Sequence, residues 1–421
     1  MKHNISVPTL DHIKIGVIGL GYVGLPLAVA FGRFRSVVGF DINKQRVDQL
    51  KVGVDDTLEV TSEELASAQH LSLTTDLNDL QDCTCFIITV QTPINNERLP
   101  DLTPLLRASA DVGSLLKVGD IVIYESTVFP GCTEEQCVPV LELHSSLKYN
   151  KDFFCGYSPE RISPGSSQHK LTNVVKVTSG STPYIATVVD KLYQQIVRAG
   201  TYMAESIKIA EAAKVIENTQ RDLNIALANE FAIIFNKLNI DTDAVIRAAS
   251  TKWNFQSFRP GLVGGHCIGV DPYYLTYKAI AAGYHPKVIL AGRELNDGMG
   301  EYVADKVIDA MIAKHTNIVG AKVLVMGFTF KENCPDIRNT KVVDIINRLK
   351  TAKCEIDVID PIASSKEVLQ TYGIQLSPSP YLNYYDAIVV AVAHKQFAEQ
   401  GLEHIKRFGK KNAVVYDVKS M

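Results

Sequence analysis

The first patterned segment is Ile13–Ile18, an apolar run that ends at Gly19. Such a run reads as a strand buried on both faces of a parallel sheet. Leu25–Arg33 follows with helical spacing, and Ser36–Phe40 is a second strand, ended by Asp41. Cys85–Val90 and Asp120–Tyr124 have the same short apolar character. Strands alternating with helical stretches predict a doubly wound parallel sheet. From Ser206 to Leu238 the chain holds neither Gly nor Pro and is rich in Ala, Glu, Lys, Ile and Leu. This predicts one helix roughly 50 Å long at about 1.5 Å per residue. A helix of that length is expected to bridge two domains and to offer a face to a second subunit. The glycine-rich segment Pro260–Gly269 must be loop. Past Asn317–Ala321 the pattern restarts: strand Lys322–Met326, helix Val342–Leu349, then strands Glu355–Ile359, Ala387–Ala391 and Val414–Tyr416. The strand–helix signal near residue 13 is thus echoed weakly near residue 322. The expected fold class is α/β. Residues 1–200 form one doubly wound domain, 201–315 a helical middle with the long helix, and 316–421 a second α/β domain.

Length agrees with several domains, since 421 residues exceed the roughly 250–300 at which one core stops growing. With 46% hydrophobic and 21% charged residues, the composition is that of a globular enzyme. A net charge of −3 gives no reason to expect nucleic acid or an anionic membrane as partner. Met1–Leu10 has no signal-peptide pattern, and no apolar run approaches the roughly 18 residues that span a bilayer. The eight cysteines, at 83, 85, 132, 137, 155, 267, 334 and 354, form no pair or Cys/His cluster with zinc spacing, so no metal is expected. Free thiols in a reducing cytoplasm are the simplest expectation.

Gly19-Leu20-Gly21-Tyr22-Val23-Gly24 lies between a predicted strand and a predicted helix. In that setting Gly19 permits the tight turn and Gly21 lets backbone approach a pyrophosphate. Gly24 allows close helix packing, and the helix start favours phosphate. Asp41 ends the next strand, 22 residues after Gly19. A carboxylate there accepts from both ribose hydroxyls and repels a 2′-phosphate, which favours NAD over NADP. Arg46 follows closely and is counted with the cofactor contacts. Thr89-Val90-Gln91-Thr92-Pro93 and Ser126-Thr127-Val128 sit at carboxyl ends of predicted strands, where ligands lie in open α/β sheets.

Gly264-Gly265-His266-Cys267-Ile268-Gly269-Val270-Asp271-Pro272 sets one cysteine on a glycine loop, with a carboxylate four residues later. The other seven cysteines read as small buried hydrophobes. The sequence here resembles the UDP-glucose/GDP-mannose dehydrogenase family, whose nucleophile lies in a GGxCxxxD signature. The resemblance runs from about residue 12 to 419. It includes Gly19–Gly24, Glu125-Ser126-Thr127-Val128, Ser158-Pro159-Glu160, Lys214 with Asn218, the cysteine loop, and Gly327-Phe328-Thr329-Phe330-Lys331 followed by Asp336 and Arg338.

The resemblance implies two Rossmann-like domains joined by a long central helix and a helical middle domain. It also implies two hydride transfers to NAD at C6 of a UDP-sugar, with Cys267 passing through a thiohemiacetal and a thioester. Lys214 and Asn218 share a helix face and suit an oxyanion at C6. Asp271 would pair with Lys214 or position the hydrolytic water. Thr127 and Glu160 would hold that water and the sugar. Glu160, Arg161, Lys214, Asn218, Arg259, Gly264, Phe330 and Lys331 are the expected substrate contacts. Arg338 is expected to reach the cofactor. Ile268-Gly269-Val270-Asp271-Pro272 is similar to the branch that acts on UDP-N-acetylhexosamines and serves bacterial surface polysaccharides. The gluco and galacto epimers stay open, with UDP-glucose or UDP-ManNAc as alternatives. Two departures accompany the likeness. The second acidic position after Glu160 reads Pro164, and the family arginine that crosses a homodimer has no match near Thr251-Lys252, which leaves Arg259 as its substitute. A two-electron hydroxyacid-type dehydrogenase would need neither Cys267 nor a second α/β domain. A non-catalytic NAD-binding regulator would not need Lys214, Asn218, Cys267 and Asp271 together.

Overall fold

The computed structural model describes residues 9–95, 97–162 and 170–419. Residues 1–8, 96, 163–169 and 420–421, and with them Pro164, lie outside the described residues. The chain divides into two compact units. The first runs to Glu217 and includes Tyr273–Gly283; the second comprises Asn218–Pro272 and the chain from Tyr284 onward.

The first unit is built on six parallel strands: β1 (Ile15–Ile18), β2 (Val37–Phe40), β3 (Leu71–Thr74), β4 (Cys85–Ile88), β5 (Ile121–Tyr124) and β6 (Phe154–Tyr157). Their order is β3-β2-β1-β4-β5-β6, the doubly wound dinucleotide order. β1, β4, β5 and β6 are buried at every position, as continuous apolar runs require between two helix layers. Ile18 lies level with Phe40 and Ile88, and Ile88 with Tyr124. The loops after these strands therefore leave the sheet along one edge. Two short parallel strands, β7 (Lys176–Thr178) and β8 (Thr201–Met203), form a small separate sheet.

Helix α1 (Gly24–Gly32) follows β1, and the predicted long helix is α2 (Ile207–Lys237). α3 (Asp271–Ala281) begins at the carboxylate that follows the cysteine loop. α4 (Lys287–Ala313) is a second long helix. It contains Gly292, Gly298 and Gly300, residues that ordinarily weaken a helix interior. Two of them are close-packing sites instead. A Cβ on Gly300 would lie 2.7 Å from the Asp344 side chain and 2.9 Å from the Lys341 carbonyl. A Cβ on Gly292 would lie 2.4 Å from Leu223.

The second unit carries a four-stranded parallel sheet: β9 (Lys322–Met326), β10 (Glu355–Ile359), β11 (Tyr385–Val390) and β12 (Gly409–Asp417), ordered β10-β9-β11-β12. Helix α5 (Val342–Thr351) packs against α4 over a core that includes Val303, Val307, Ile345 and Leu349. The internal echo extends to hydrogen bonds. Gly19 N–H donates to the Phe40 carbonyl, and Gly327 N–H donates to the Ile359 carbonyl, both at 2.8 Å. Asp41 accepts from Leu20 N–H at 2.8 Å, and Asp360 accepts from Phe328 N–H at 2.6 Å.

Candidate active site

In the first unit, the glycine loop turns at Gly19, whose φ is +95°. That left-handed conformation favours glycine. A Cβ on Gly24 would sit 1.8 Å from the Gly19 carbonyl oxygen, so the third glycine is fixed by contact. Gly21 meets nothing within 4 Å and is exposed, leaving backbone open to an incoming phosphate. Tyr22 and Val23 flank it, half-buried. Asp41 accepts from Asn43 N–H at 2.8 Å as well as from Leu20 N–H. These bonds fix its carboxylate, which stays half-buried at the end of β2. The loop and the carboxylate fit the adenosine half of NAD.

Arg46 is placed behind this loop. Its Nε donates to the Leu20 carbonyl at 3.0 Å, and its guanidinium pairs with Asp55 at 2.7 Å and with Asp56. Burial works against the Asp55 charge, but bonds from Thr57, Arg46 and Val60 N–H outweigh it and hold the carboxyl below its ordinary range. Arg46 thus braces the turn at Leu20. Thr89 Oγ1 donates to the Gly19 carbonyl at 2.8 Å, which ties the end of β4 to the loop. Thr92 Oγ1 donates to the Thr127 carbonyl at 2.7 Å, and Ser126 Oγ to the Val90 carbonyl at 2.6 Å. Tyr274 OH donates to the Thr92 carbonyl at 2.8 Å and approaches that of Pro93 at 3.3 Å. The two strand-end loops therefore form one bonded rim.

Glu160 accepts from the N–H groups of Arg161 and Ile162, both at 2.6 Å, and lies 3.5 Å from the Lys176 ammonium. Lys176 is buried and pairs at 2.6 Å with Glu125, which also accepts from Tyr193 OH. Burial pushes the Glu125 carboxyl up against the pull of Lys176. In the sequence Glu125 stands out only as part of a motif, and Lys176 carries no local signal. Arg161 is clamped on Glu217 at 2.9 Å and on the Val175 carbonyl at 2.7 Å. Lys214 is buried on α2. One turn earlier, buried Glu211 accepts from the N–H groups of Gly131 at 2.5 Å and Thr133 at 2.9 Å.

In the second unit the cysteine loop is anchored at both ends. Asn229 on α2 exchanges two bonds with Gly261, at 3.1 and 2.8 Å. Gly265 N–H donates to the Arg338 carbonyl at 3.1 Å, and Asn339 Nδ2 donates to the Gly265 carbonyl at 3.1 Å. A Cβ on Gly264 would lie 2.8 Å from the Asn339 carbonyl, and one on Gly265 2.7 Å from the Phe330 ring. The paired glycines let the loop lie directly on Phe330 and the Arg338–Asn339 turn. Cys267 is half-buried, whereas the other seven cysteines, all free thiols, are buried. The Cys267 carbonyl accepts from Asp271 N–H at 2.8 Å, so the thiol stands one turn ahead of α3. Buried Asp271 accepts from Asn218 Nδ2 at 2.6 Å.

Arg338 is bound by Asp336 through Nε, at 3.0 and 3.1 Å, and through an NH2 contact at 2.6 Å. The same NH2 lies 2.9 Å from His266 Nδ1. Lys331 is half-buried, its carbonyl accepting from Thr329 Oγ1 at 2.9 Å. Arg259 is exposed and paired with Asp243. Among the described residues, no group of three or more His, Cys, Asp or Glu side chains is arranged to hold a metal ion, and no helix is long and apolar enough to cross a membrane.

Comparison with known proteins agrees with this geometry. Residues 13–197 match the NAD binding domain of the UDP-glucose/GDP-mannose dehydrogenase family, 208–298 its central domain, and 324–421 its UDP binding domain. The chain is 60% identical over 410 residues to a UDP-N-acetyl-D-glucosamine 6-dehydrogenase of Salmonella typhi, covering 97% of this chain and 96% of that one. It is also 60% identical over 410 residues to a Pseudomonas aeruginosa protein of the same description, covering 97% of each. Among solved structures it is similar to a UDP-D-ManNAc dehydrogenase from Pyrococcus horikoshii. The TM-score is 0.87 at 29% identity, covering 96% of this chain and 99% of that one.

Proposed function

Because the chain belongs to the UDP-glucose/GDP-mannose dehydrogenase family and is an NAD-dependent dehydrogenase, we propose that it oxidises C6 of a UDP-N-acetylhexosamine from alcohol to carboxylate. The observation that carries this reading is the setting of Cys267. It is the half-buried thiol among eight, on a loop docked against the UDP binding domain, with Asp271 and Asn218 hydrogen-bonded one turn away. The acetylated sugar is supported by the 60% relatives, named for UDP-N-acetyl-D-glucosamine, and by Ile268-Gly269-Val270-Asp271-Pro272. The gluco epimer is the first choice.

In this reading Gly19, Gly21, Gly24 and Asp41 would hold NAD, which when bound would supply the hydride acceptor for both oxidations. The Lys214 ammonium and the Asn218 amide stabilise negative charge on the C6 oxygen. The Cys267 thiolate adds to the aldehyde to give a thiohemiacetal, whose oxidation leaves a thioester. Glu160 and Thr127 orient the water that releases the carboxylate, and Asp271 keeps the Asn218 amide aimed. Phe330, Lys331 and Gly264 are assigned to the UDP-sugar, with Arg161 and Arg259 at its margin and Arg338 toward the cofactor. The three-part division at residues 200 and 315 is proposed as the functional one.

A panel of UDP-GlcNAc, UDP-GalNAc, UDP-ManNAc and UDP-glucose, assayed with NAD, tests both halves of the proposal. Two NADH per UDP-GlcNAc are expected. One NADH per sugar, or turnover of UDP-glucose alone, would overturn it. We further propose a homodimer working in the cytoplasm on precursors of a surface polysaccharide such as an O-antigen or capsule. Ile209, Ile216, Leu227 and Ile234 are exposed along α2, in two pairs seven residues apart, which supports a helix face for a second copy. A fully active monomer in sedimentation at micromolar concentration would refute the dimer.

A further inference from the structure

Asp360, directly after β10, repeats in the second unit the place of Asp41 in the first. Each carboxylate accepts from the N–H of the residue after the strand-end glycine. Each also accepts, at 2.8 Å, from the N–H two residues along its own chain, Asn43 and Ile362. Asp41 is half-buried, whereas the Asp360 side chain is 0% exposed. Further donors reach Asp360: Thr329 N–H at 3.2 Å, Ala363 N–H at 2.7 Å and His394 Nε2 at 3.0 Å. His394, just after β11, is itself 0% exposed and covers the carboxylate. Its other nitrogen faces a different loop, where Asn333 N–H donates to Nδ1 at 3.0 Å. A nitrogen that accepts carries no proton, so the ring is neutral and its one N–H is on Nε2, toward Asp360. Thr329 Oγ1, 3.3 Å from Nε2, donates its own proton to the Lys331 carbonyl and can only accept from the ring. Asn333 stands at φ +58°, a conformation that asparagine tolerates, and its Oδ1 accepts from Lys395 N–H at 2.9 Å. The stretch from Phe328 to Asn333 is therefore fastened at both ends, with Phe330 and Lys331 between the fastenings.

We infer that His394 is a positioning residue for the UDP-sugar: by accepting from Asn333 and donating to Asp360, it holds the Phe330–Lys331 loop in its ligand-receiving shape before any ligand arrives. A loop set in advance loses less freedom on binding, so the gain is in affinity for the uridine diphosphate. The carboxylate position assigned to the dinucleotide in the first unit becomes, in the second, an anchor for this loop. The two ring nitrogens have separable duties. Nε2 satisfies a buried carboxylate, and its loss should lower stability. Nδ1 shapes the loop, and its loss should lower affinity. Amide side chains can separate the two. The glutamine amide reaches the place of Nε2 and can donate there, whereas the asparagine oxygen reaches the place of Nδ1 and can accept there.

The inference deepens the reading of Phe330 and Lys331 as UDP-sugar contacts and rests on it. The test is calorimetric titration of the full enzyme with UDP, beside melting curves. His394→Gln keeps the donor for Asp360 and drops the acceptor for Asn333; His394→Asn does the reverse. His394→Gln should melt above His394→Asn. It should nevertheless bind UDP about five- to tenfold more weakly than wild type, while His394→Asn stays within about twofold. In kinetics the His394→Gln effect should fall on KM for UDP-GlcNAc rather than on kcat. UDP affinity at the wild-type level in His394→Gln overturns the inference, and so does affinity that merely follows Tm across the two variants. Hydrogen exchange on the wild type needs no variant to fold. The Asn333 amide belongs to an exposed residue, yet it should be protected without UDP, and fast exchange there overturns the inference as well. Phe330→Ala and Lys331→Ala test the underlying reading. If both bind UDP as wild type does, the assignment of the loop falls and the inference with it. If they lose UDP and His394→Gln does not, the inference alone falls.

Discussion

Asn218 Nδ2 donates to Asp271 Oδ2 at 2.6 Å, which ties α2 to the first residue of α3 directly behind the cysteine loop. A carboxylate in that place can only accept, so the amide must turn its nitrogen toward Asp271 and its oxygen away. Asp271→Asn removes this preference and frees the Asn218 amide to flip. The expected result is a loss of about 10²–10³ in kcat with KM for the UDP-sugar changed little, the size seen when one oxyanion donor is misplaced. Steady-state kinetics measure it, and an unchanged kcat would show the bond to be purely structural.

Asp41 predicts cofactor choice. Its carboxylate is fixed by two backbone N–H groups, so it cannot swing clear of a 2′-phosphate. NAD should be preferred over NADP, and Asp41→Ala should narrow the preference by roughly tenfold or more, mostly through weaker NAD. The ratio of kcat/KM for the two cofactors reads it directly.

Gly24→Ala tests the loop itself. The added Cβ would fall 1.8 Å from the Gly19 carbonyl and 2.4 Å from Thr89 Oγ1, and neither can yield without opening the turn. We expect loss of NAD binding in calorimetry together with a drop in Tm of several degrees, since overpacking costs about 1–3 kcal/mol. Gly21→Ala is the contrast: nothing lies within 4 Å, so Tm should hold while NAD affinity falls.

Glu211 predicts a pH dependence of stability. Burial raises its pKa from 4.5 to about 7, against the pull of the Thr133 and Gly131 bonds. The folded state therefore keeps its proton to higher pH than the unfolded chain. Stability from this group is greatest below about pH 4.5 and declines as pH rises through 7, by about 3 kcal/mol at most. Glu211→Gln should gain on wild type in Tm between pH 5 and pH 8. A constant gap between the two melting curves would disprove the assignment.

Some of this architecture can be read in the sequence, and particular residues explain where reading stops. Ile15–Ile18 and Lys322–Met326 are legible because central parallel strands must be apolar on both faces. Leu71–Thr74 escapes notice because an edge strand is short and half-polar. α4 is hidden by glycines that serve packing against Leu223 and Asp344. At the site, Cys267, Asp271 and the glycine fingerprint stand out by local spacing. Lys176 beside Glu125 and Glu160 does not, nor does Asp336 beside His266. Those partners lie 51, 16 and 70 residues apart in sequence, and only the folded sheets bring them together.

The bond pattern that joins Gly19, Leu20 and Asp41 recurs, in a separate sheet of the other unit, at Gly327, Phe328 and Asp360. Each nucleotide-binding half thus carries its own hinge pin. The two sets of bonds share no residue, so a substitution in one removes no member of the other. Inheritance can therefore retune the grip on the sugar nucleotide without loosening the grip on the dinucleotide, so a lineage of such enzymes can change its diet while keeping its currency of electrons.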